Sequence, residues 1–280
     1  MVNKIVFLDI DGTLINSYQG PNVQHVGSLF ADFKIQNDLL LAINSNRSLQ
    51  DIMPIAKQFK IRGPLVAENG AFFYLPQTKK KFRLLSPVAA NKIIKNLEYV
   101  KNLIKKFVIT KTNFKLIWKD IDTVKALKDL NKYQSANNTL LMLNNKFRQY
   151  TMSIHVRAIN NGLVKPATKE IKLISTFVQK GLPKNINLTV TFSKKYSNLL
   201  VFSSQVSKQS AVAQLKKQYY PNAKFYAIGD EISDYNMIKD IGKFYAVKNT
   251  DKVAQKKSVY VSKFTYTRGV LDILKRIISQ

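Results

Sequence analysis

The sequence places Asp9-Ile10-Asp11-Gly12-Thr13 directly after the short apolar run KIVFL at 4–8. Two carboxylates two residues apart at the end of a strand can converge on one divalent cation. A site of carboxylate oxygens suits a hard metal such as Mg²⁺. A carboxylate can also act as a nucleophile toward phosphorus and form an aspartyl-phosphate. Three further stretches carry chemistry that fits. Asn44-Ser45-Asn46-Arg47 follows a second apolar run, and a hydroxyl with backbone amides at a strand-to-helix turn suits a phosphoryl oxygen. Lys208 opens the helical stretch KQSAVAQL and offers a cation. Gly229-Asp230-Glu231-Ile232-Ser233-Asp234 follows another apolar run and brings a second acidic pair, four residues apart. Each stretch also has a plain structural reading: an Asp-rich turn closed by Gly-Thr, a serine cap, a solvated lysine, and a helix start with acidic first-turn residues.

These loops act together only if a frame brings them together. Apolar runs rich in β-formers at 4–8, 39–43 and 64–67 read as buried strands. Between the last two, residues 48–60 put Leu49, Ile52, Ile55, Ala56 and Phe59 on one helical face, with Ser48 as N-cap and Pro54 late for a first turn. Strand and helix alternating in this way predict a parallel sheet. The middle of the chain reads differently. Helices are expected at 87–106, 122–134 and 166–180, and strands at 107–110, 139–143, 150–156, 187–193 and 197–203. After it the alternation returns, with a helix at 208–219, strands at 224–228 and 243–247, and a final helix at 268–278. The layout expected is an α/β domain over 1–78 and 198–280, a Rossmann-like parallel sheet with helices on both faces. An α+β domain over 79–197 is inserted in it, with Lys79-Lys80-Lys81 at its edge.

Composition narrows the function. The 280 residues contain no cysteine, which removes disulfides, thiolate zinc sites and a cysteine nucleophile. The two histidines, His25 and His155, are too few for a His-rich metal site, and a Ser-His-Asp triad is not expected. His155 sits in an alternating strand pattern and reads as structural. No apolar run approaches the ~18 residues of a membrane span, and the acidic pair after a short apolar run does not read as a signal peptide. The expected location is cytoplasmic. The formal charge is +28, unevenly placed: residues 1–70 hold 6 Lys/Arg and 6 Asp/Glu, residues 71–200 hold 25 and 5, and residues 201–280 hold 14 and 6. Such a field favours anionic partners; a Lys-rich solvated surface is the alternative reading.

Taken in order, these pieces resemble the haloacid dehalogenase superfamily of phosphohydrolases. Asp9-Ile10-Asp11-Gly12-Thr13 is similar to its first motif, Ser45 to its second, Lys208 to its third and Gly229-Asp230 with Asp234 to its fourth. Glu68-Asn69-Gly70-Ala71, Asn46-Arg47 after Ser45, and the closing Arg268-Gly269-Val270 resemble the Cof-type and sucrose-phosphate phosphatase branch, which carries a large cap between motifs two and three. The resemblance covers 1–75 and about 198–280. Departures are Ser45 for the commoner Thr, Asn46 and Gln209 where Gly is usual, and Ser233 where Asn often stands.

The resemblance implies a Mg²⁺-dependent phosphatase. Asp9 would be the nucleophile and Asp11 the general acid and base, with Thr13 holding Asp11 or the turn. Asp9, the main-chain carbonyl of Asp11, and Asp230 would bind the metal, with Asp234 close by. Ser45 and Lys208 would hold the phosphoryl oxygens. Asn46, Arg47, Glu68 and Asn69 come from core loops and would line the pocket. The insert would be the cap that chooses the leaving group, with Arg148, Arg157 and Lys165 as candidate contacts. Its basic character points to a small anionic or sugar phosphate, or to a phosphoprotein or phosphoinositide. Two other readings stand beside it. A sugar phosphomutase would need a bisphosphate activator. A polyanion-binding protein, engaging nucleic acid or a membrane surface through the basic middle, would bind with steep salt dependence; no named nucleic-acid motif is present.

Overall fold

The computed structural model describes residues 2–16, 38–194 and 196–280; His25 lies outside them. Strands β1 (Lys4–Leu8), β2 (Leu39–Asn44), β3 (Leu65–Ala67), β4 (Phe72–Leu75) and β5 (Lys80–Arg83) come first, with helix α1 (Leu49–Gln58) between β2 and β3. Then follow α2 (Pro87–Lys111), β6 (Lys115–Ile121), α3 (Thr123–Ala126), β7 (Thr139–Asn145), β8 (Thr151–Asn160), β9 (Leu163–Pro166), α4 (Thr168–Gly181), β10 (Leu188–Ser193) and β11 (Asn198–Ser203). The chain closes with α5 (Lys208–Tyr219), β12 (Lys224–Gly229), α6 (Ile232–Asn236), β13 (Gly242–Ala246), α7 (Lys252–Gln255), β14 (Tyr260–Val261) and α8 (Tyr266–Ile278). Contacts divide it into two units, Met1–Leu84 with Val206–Gln280, and Leu85–Gln205.

The first unit is an α/β fold whose sheet runs β14-β13-β12-β1-β2-β3-β4-β5. The six strands from β14 to β3 are parallel, and β4 and β5 turn back antiparallel. Strand β1 lies inside the sheet, and Ile5, Val6, Phe7 and Leu8 are all fully buried. A strand covered on both faces needs such an unbroken apolar run. Leu8 is level with Ile43 of β2 on one side and Ile228 of β12 on the other. The loops that begin at Asp9, Ser45 and Asp230 therefore leave the same edge of the sheet, the carboxyl edge where open α/β sheets bind ligands. Beneath that edge, Phe7, Val66, Phe73, Val212, Leu215 and Phe225 belong to one apolar cluster that ties α5 to the strands.

The second unit has its own sheet, β10-β11-β8-β7-β6, with β9 paired to the Arg157–Asn160 end of β8. Only β6 and β7 run parallel; the other pairs are antiparallel. Helix α2 buries Val100, Ile104, Phe107 and Val108 on one stripe.

Several expected elements differ. Residues 107–110 were expected as a strand because they are β-branched and apolar, yet they finish α2. Adjacent Phe107 and Val108 are both buried while Ile109 is 71% exposed, a helical spacing that outweighs local β preference. The helix expected at 122–134 is only α3 and a single 3-10 turn at Asn131–Tyr133. Asp122 caps α3 as a good N-cap should; beyond Leu127 the residues that pack on the core are Leu130, Tyr133 and Ala136, three apart, which is the period of a 3-10 turn and not of a continuing α-helix. Lys79-Lys80-Lys81, expected at the edge of the insert, lies in the β4–β5 hairpin of the first unit's sheet. Strand β11, expected in the core domain, lies between β10 and β8 in the second unit. No described helix is long and apolar enough to cross a membrane.

The end of α2 yields a direct check. Val108→Ala removes two buried methyl groups and is expected to cost about 2 kcal/mol, whereas Ile109→Ala is expected to stay within about 0.5 kcal/mol. Urea-unfolding midpoints measure both; a larger loss at Ile109 would restore the strand assignment.

Candidate active site

The loop after β1 is tight. The carbonyl of Ile10 accepts from the amides of Thr13, Leu14 and Ile15, and the amide of Gly12 donates to Ile15. Gly12 has φ +100° and lies so close to Asp230 that any Cβ would collide with its carboxylate. Thr13 Oγ1 donates to Asp230 Oδ1 at 2.9 Å, and Asn249 Nδ2 donates to the carbonyl of Gly12 at 2.7 Å. The first loop is thus fastened to the loops that follow β12 and β13. Thr13 holds Asp230 here, where the sequence pointed to Asp11 or the turn.

Lys208 is the first residue of α5, after the N-cap Ser207 and its capping partner Ser210. A cation at the positive end of a helix is unfavourable by about 0.3–1 kcal/mol. Two carboxylates outweigh it. Lys208 Nζ donates to Asp9 Oδ1 at 2.7 Å and to Asp234 Oδ1 at 2.8 Å, with all three side chains at 10% exposure or less. The other oxygen of Asp234 accepts from the amides of Asp230 and Glu231, both at 3.1 Å. Asn44, the last residue of β2, donates its side-chain amide to the carbonyl of Lys208 at 3.1 Å. Gly70, at φ +91°, has no room for a Cβ against the carbonyl of Ser207, so this turn abuts the start of α5.

Ser45, Asn46 and Arg47 rest on that same turn. The amide of Glu68 donates to the carbonyl of Arg47, and that of Asn69 to Ser45. Glu68, Asn69 and Gly70 are all left-handed, with φ of 50°, 58° and 91°. Ser45 Oγ accepts from the amide of Arg47 at 3.2 Å. Arg47 Nε and Nη2 donate to the two carboxylate oxygens of Asp11 at 2.7 and 2.6 Å. The amide oxygen of Asn46 is buried and has no hydrogen-bond partner among the described residues.

Burial and the neighbouring carboxylates raise two acids. Burial, then Asp234, push Asp9 well above the usual carboxylate range, against the pull of Lys208. Burial, then Asp234, raise Asp230 from 3.8 to about 7, with the Thr13 hydrogen bond opposing. Burial alone would lower the Lys208 ammonium, but Asp234 and Asp9 outweigh it and hold it above its ordinary value. Asp9, Asp230 and Asp234 each present an oxygen within 4.8 Å of the others. Three carboxylates facing one ammonium leave negative charge uncompensated, and the donors are all oxygen, so the residues fit a hard divalent cation.

Of the residues named from sequence, Asp9, Thr13, Lys208, Asp230 and Asp234 meet in one cluster, and Ser45, Arg47 and Asp11 form a second, joined through the Asp9–Thr13 loop. The Asp11 carboxylate engages Arg47 and lies outside the three-acid group. Glu68, expected to line the pocket, is fully buried, and Asn69 is half-buried. Arg148 donates to Thr151, and Arg157 to the carbonyls of Val156, Tyr196 and Ser197, bonds within the insert. Lys165 is exposed. His155 is buried in β8. Sequence reading named Asn44 only as the first residue of the 44–47 stretch, with no role of its own, and passed over Asn249. Both are polar residues at or just past strand carboxyl ends, the same signal that marks Ser45 and Asp230.

A family model described as haloacid dehalogenase-like hydrolase matches residues 6–274. A haloacid dehalogenase-like hydrolase from Bacteroides thetaiotaomicron is 18% identical, with 98% of this chain and 99% of that one covered, at a TM-score of 0.64. A HAD/COF-like hydrolase from Plasmodium vivax is 17% identical, covering 99% and 96%, at 0.61. The sucrose-phosphatase from Synechocystis, solved with sucrose and phosphate, is 14% identical, covering 99% of each chain, at 0.54. At these identities the structural likeness establishes the fold. No match is found among curated proteins.

The raised carboxyl of Asp230 has a signed consequence. Between its ordinary 3.8 and about 7 the folded chain holds a proton that the unfolded chain has released, so folding stability falls as pH rises across that window. A bound dication favours the ionised carboxylate. The rise in melting temperature produced by such a cation is therefore expected to be larger at about pH 8 than at about pH 5. Thermal scans with and without the cation check this; an increment independent of pH would count against the site.

Proposed function

The chain belongs to the haloacid dehalogenase-like hydrolases, and on that footing we propose that it is a Mg²⁺-dependent phosphatase of small phosphomonoesters. The observation that carries the reading is the Lys208 ammonium held by Asp9 and Asp234 at the carboxyl edge of the parallel sheet, with Asp230 beside them. Phosphoryl transfer depends mainly on positioning and on charge placed around the phosphoryl oxygens. One ammonium and one cation-ready carboxylate group on adjacent loops supply that.

Asp9 accepts from Lys208 through Oδ1, and among the described residues no group donates to its Oδ2. Oδ2 attacks phosphorus, and the bond from phosphorus to the leaving oxygen breaks. Asp11 gives that oxygen its proton, so the alcohol departs and Asp9 carries the phosphoryl group. Asp11 then takes a proton from water as the water oxygen attacks the phosphorus, which frees phosphate and restores the Asp9 carboxylate. Lys208 and the Ser45 hydroxyl hold phosphoryl oxygens; the hydroxyl proton of Ser45 has no acceptor among the described residues. Asp9, Asp230 and Asp234, with the carbonyl of Asp11, would hold Mg²⁺. When bound, it supplies positive charge to the phosphoryl oxygens and favours the ionised forms of Asp9 and Asp230. The excess of lysine and arginine over 71–200 favours anionic substrates.

A panel of sugar phosphates, inositol phosphates and phosphopeptides assayed with Mg²⁺ tests the reading. Wild type is expected to release phosphate from at least one without a bisphosphate activator. Asp9→Asn is expected to fall by about 10⁴-fold or more. Comparable turnover by Asp9→Asn would remove the nucleophile.

A further inference from the structure

Arg47 is the least explained part of the site. Its guanidinium reaches 36 residues back along the chain and takes both oxygens of Asp11, at 2.7 and 2.6 Å, while its own side chain is 6% exposed. This is the fork-on-carboxylate geometry that gives charge-assisted pairs their strength and direction. Its backbone is held as firmly. The amide of Arg47 is tied to Ser45 Oγ and its carbonyl to the amide of Glu68. The support beneath is three successive left-handed residues, of which only Gly70 tolerates that conformation freely. Strain of about 1–3 kcal/mol at each non-glycine position persists only where the surroundings impose it, and such strain gathers at working sites.

The pair competes with the role assigned to Asp11 as long as it stays closed. An acid–base group must turn one oxygen toward the leaving oxygen or the attacking water, and here the guanidinium holds both oxygens in one fixed orientation. The group that can replace Asp11 on Arg47 is also at hand. A phosphoryl group bonded to Asp9 enters two residues from Asp11, and it presents paired oxygens of the same fork geometry with more negative charge than a carboxylate.

We infer that Arg47 is an exchange clamp: it holds Asp11 in the resting enzyme and passes to the phosphoryl group when substrate binds, which frees Asp11 for proton transfer. Arg47 is on this account a positioning residue for Asp11 and a ligand of the bound phosphoryl group. The inference rests on the phosphatase reading and adds to it an order of events. Phosphate binding must break the pair with Asp11. Asp11 is released only when a phosphoryl group is in place, so a water molecule alone does not meet an active base.

A double-mutant cycle on the affinity for inorganic phosphate, measured by titration calorimetry with Mg²⁺, tests it. In wild type, phosphate has to displace Asp11 from Arg47; in Asp11→Asn it does not. Asp11→Asn is expected to bind phosphate about tenfold more tightly than wild type, and the same change made in Arg47→Gln is expected to alter affinity by less than about twofold. Simple removal of a negative charge would tighten both backgrounds equally, and that additive result overturns the clamp. So would weaker binding by Asp11→Asn. Arg47→Lys, which keeps the charge but not the fork, stands in if Arg47→Gln does not fold. On its background the gain from Asp11→Asn is expected to shrink by at least about threefold; an undiminished gain is the contrary result. A wild type that hydrolyses phosphomonoesters with an additive cycle loses the clamp alone. A wild type that neither binds phosphate nor hydrolyses any ester loses the phosphatase reading and the clamp together.

Discussion

The Lys208 ammonium between Asp9 and Asp234 is the contact on which the rest of the first unit depends. A buried ion pair is weak support for stability, because taking the charges out of water offsets most of their attraction; breaking it from one side costs about 3–5 kcal/mol. Its value here is geometric. It joins the loop after β1, the start of α5 and the short helix α6 that follows β12; Asp9 lies 199 residues from Lys208, and Asp234 lies 26 from it. It also puts a lysine where the helix dipole opposes one. A local rule broken in this way, with compensation drawn from two other elements, is what a working site looks like in a sequence otherwise consistent with its fold.

The surrounding bonds serve that contact. Thr13 on Asp230, Asn249 on Gly12 and Asn44 on Lys208 each tie one loop of the carboxyl edge to another, and the Asp230 and Glu231 amides fix Asp234 within its own loop. The level register of β1, β2 and β12 makes this possible, since a shift of one strand by two residues would carry its loop about 7 Å away. The same crowding leaves Asp9 and Asp230 raised, an imbalance that suits a dication and an anionic substrate arriving together. The apolar cluster beneath, running from Phe7 to Phe225, keeps the edge rigid enough to hold such charges in place.

Much of this was legible in the sequence because it lies at strand ends. Short apolar runs mark the strands of a parallel sheet, and acidic, hydroxyl and lysine residues directly after them stand out from the apolar background. Ser48 as a cap and Lys208 as a helix start could be read one residue at a time. The pairing of Arg47 with Asp11 could not, because side-chain partners across 36 residues follow from the packed loops and not from spacing. Nor could the burial of Glu68, which sits in a turn whose left-handed backbone no local pattern announces. In the insert, periodicity misled at 107–110, where four apolar and β-branched residues read equally as strand or helix until the Val100–Ile104–Phe107–Val108 stripe decided it. The solvent-facing strand β6 and the lysine-rich β5 lacked the apolar runs that mark buried strands.

The nucleophile proposed for phosphorus is the Asp9 carboxylate. Acid quenching of the enzyme during turnover of its best substrate, followed by peptide mass mapping, reads this directly. A phosphoryl group on the peptide that carries Asp9, absent when substrate is withheld, is the result expected. Steady turnover with no phosphorylated peptide, or with the phosphoryl group on another residue, would contradict it.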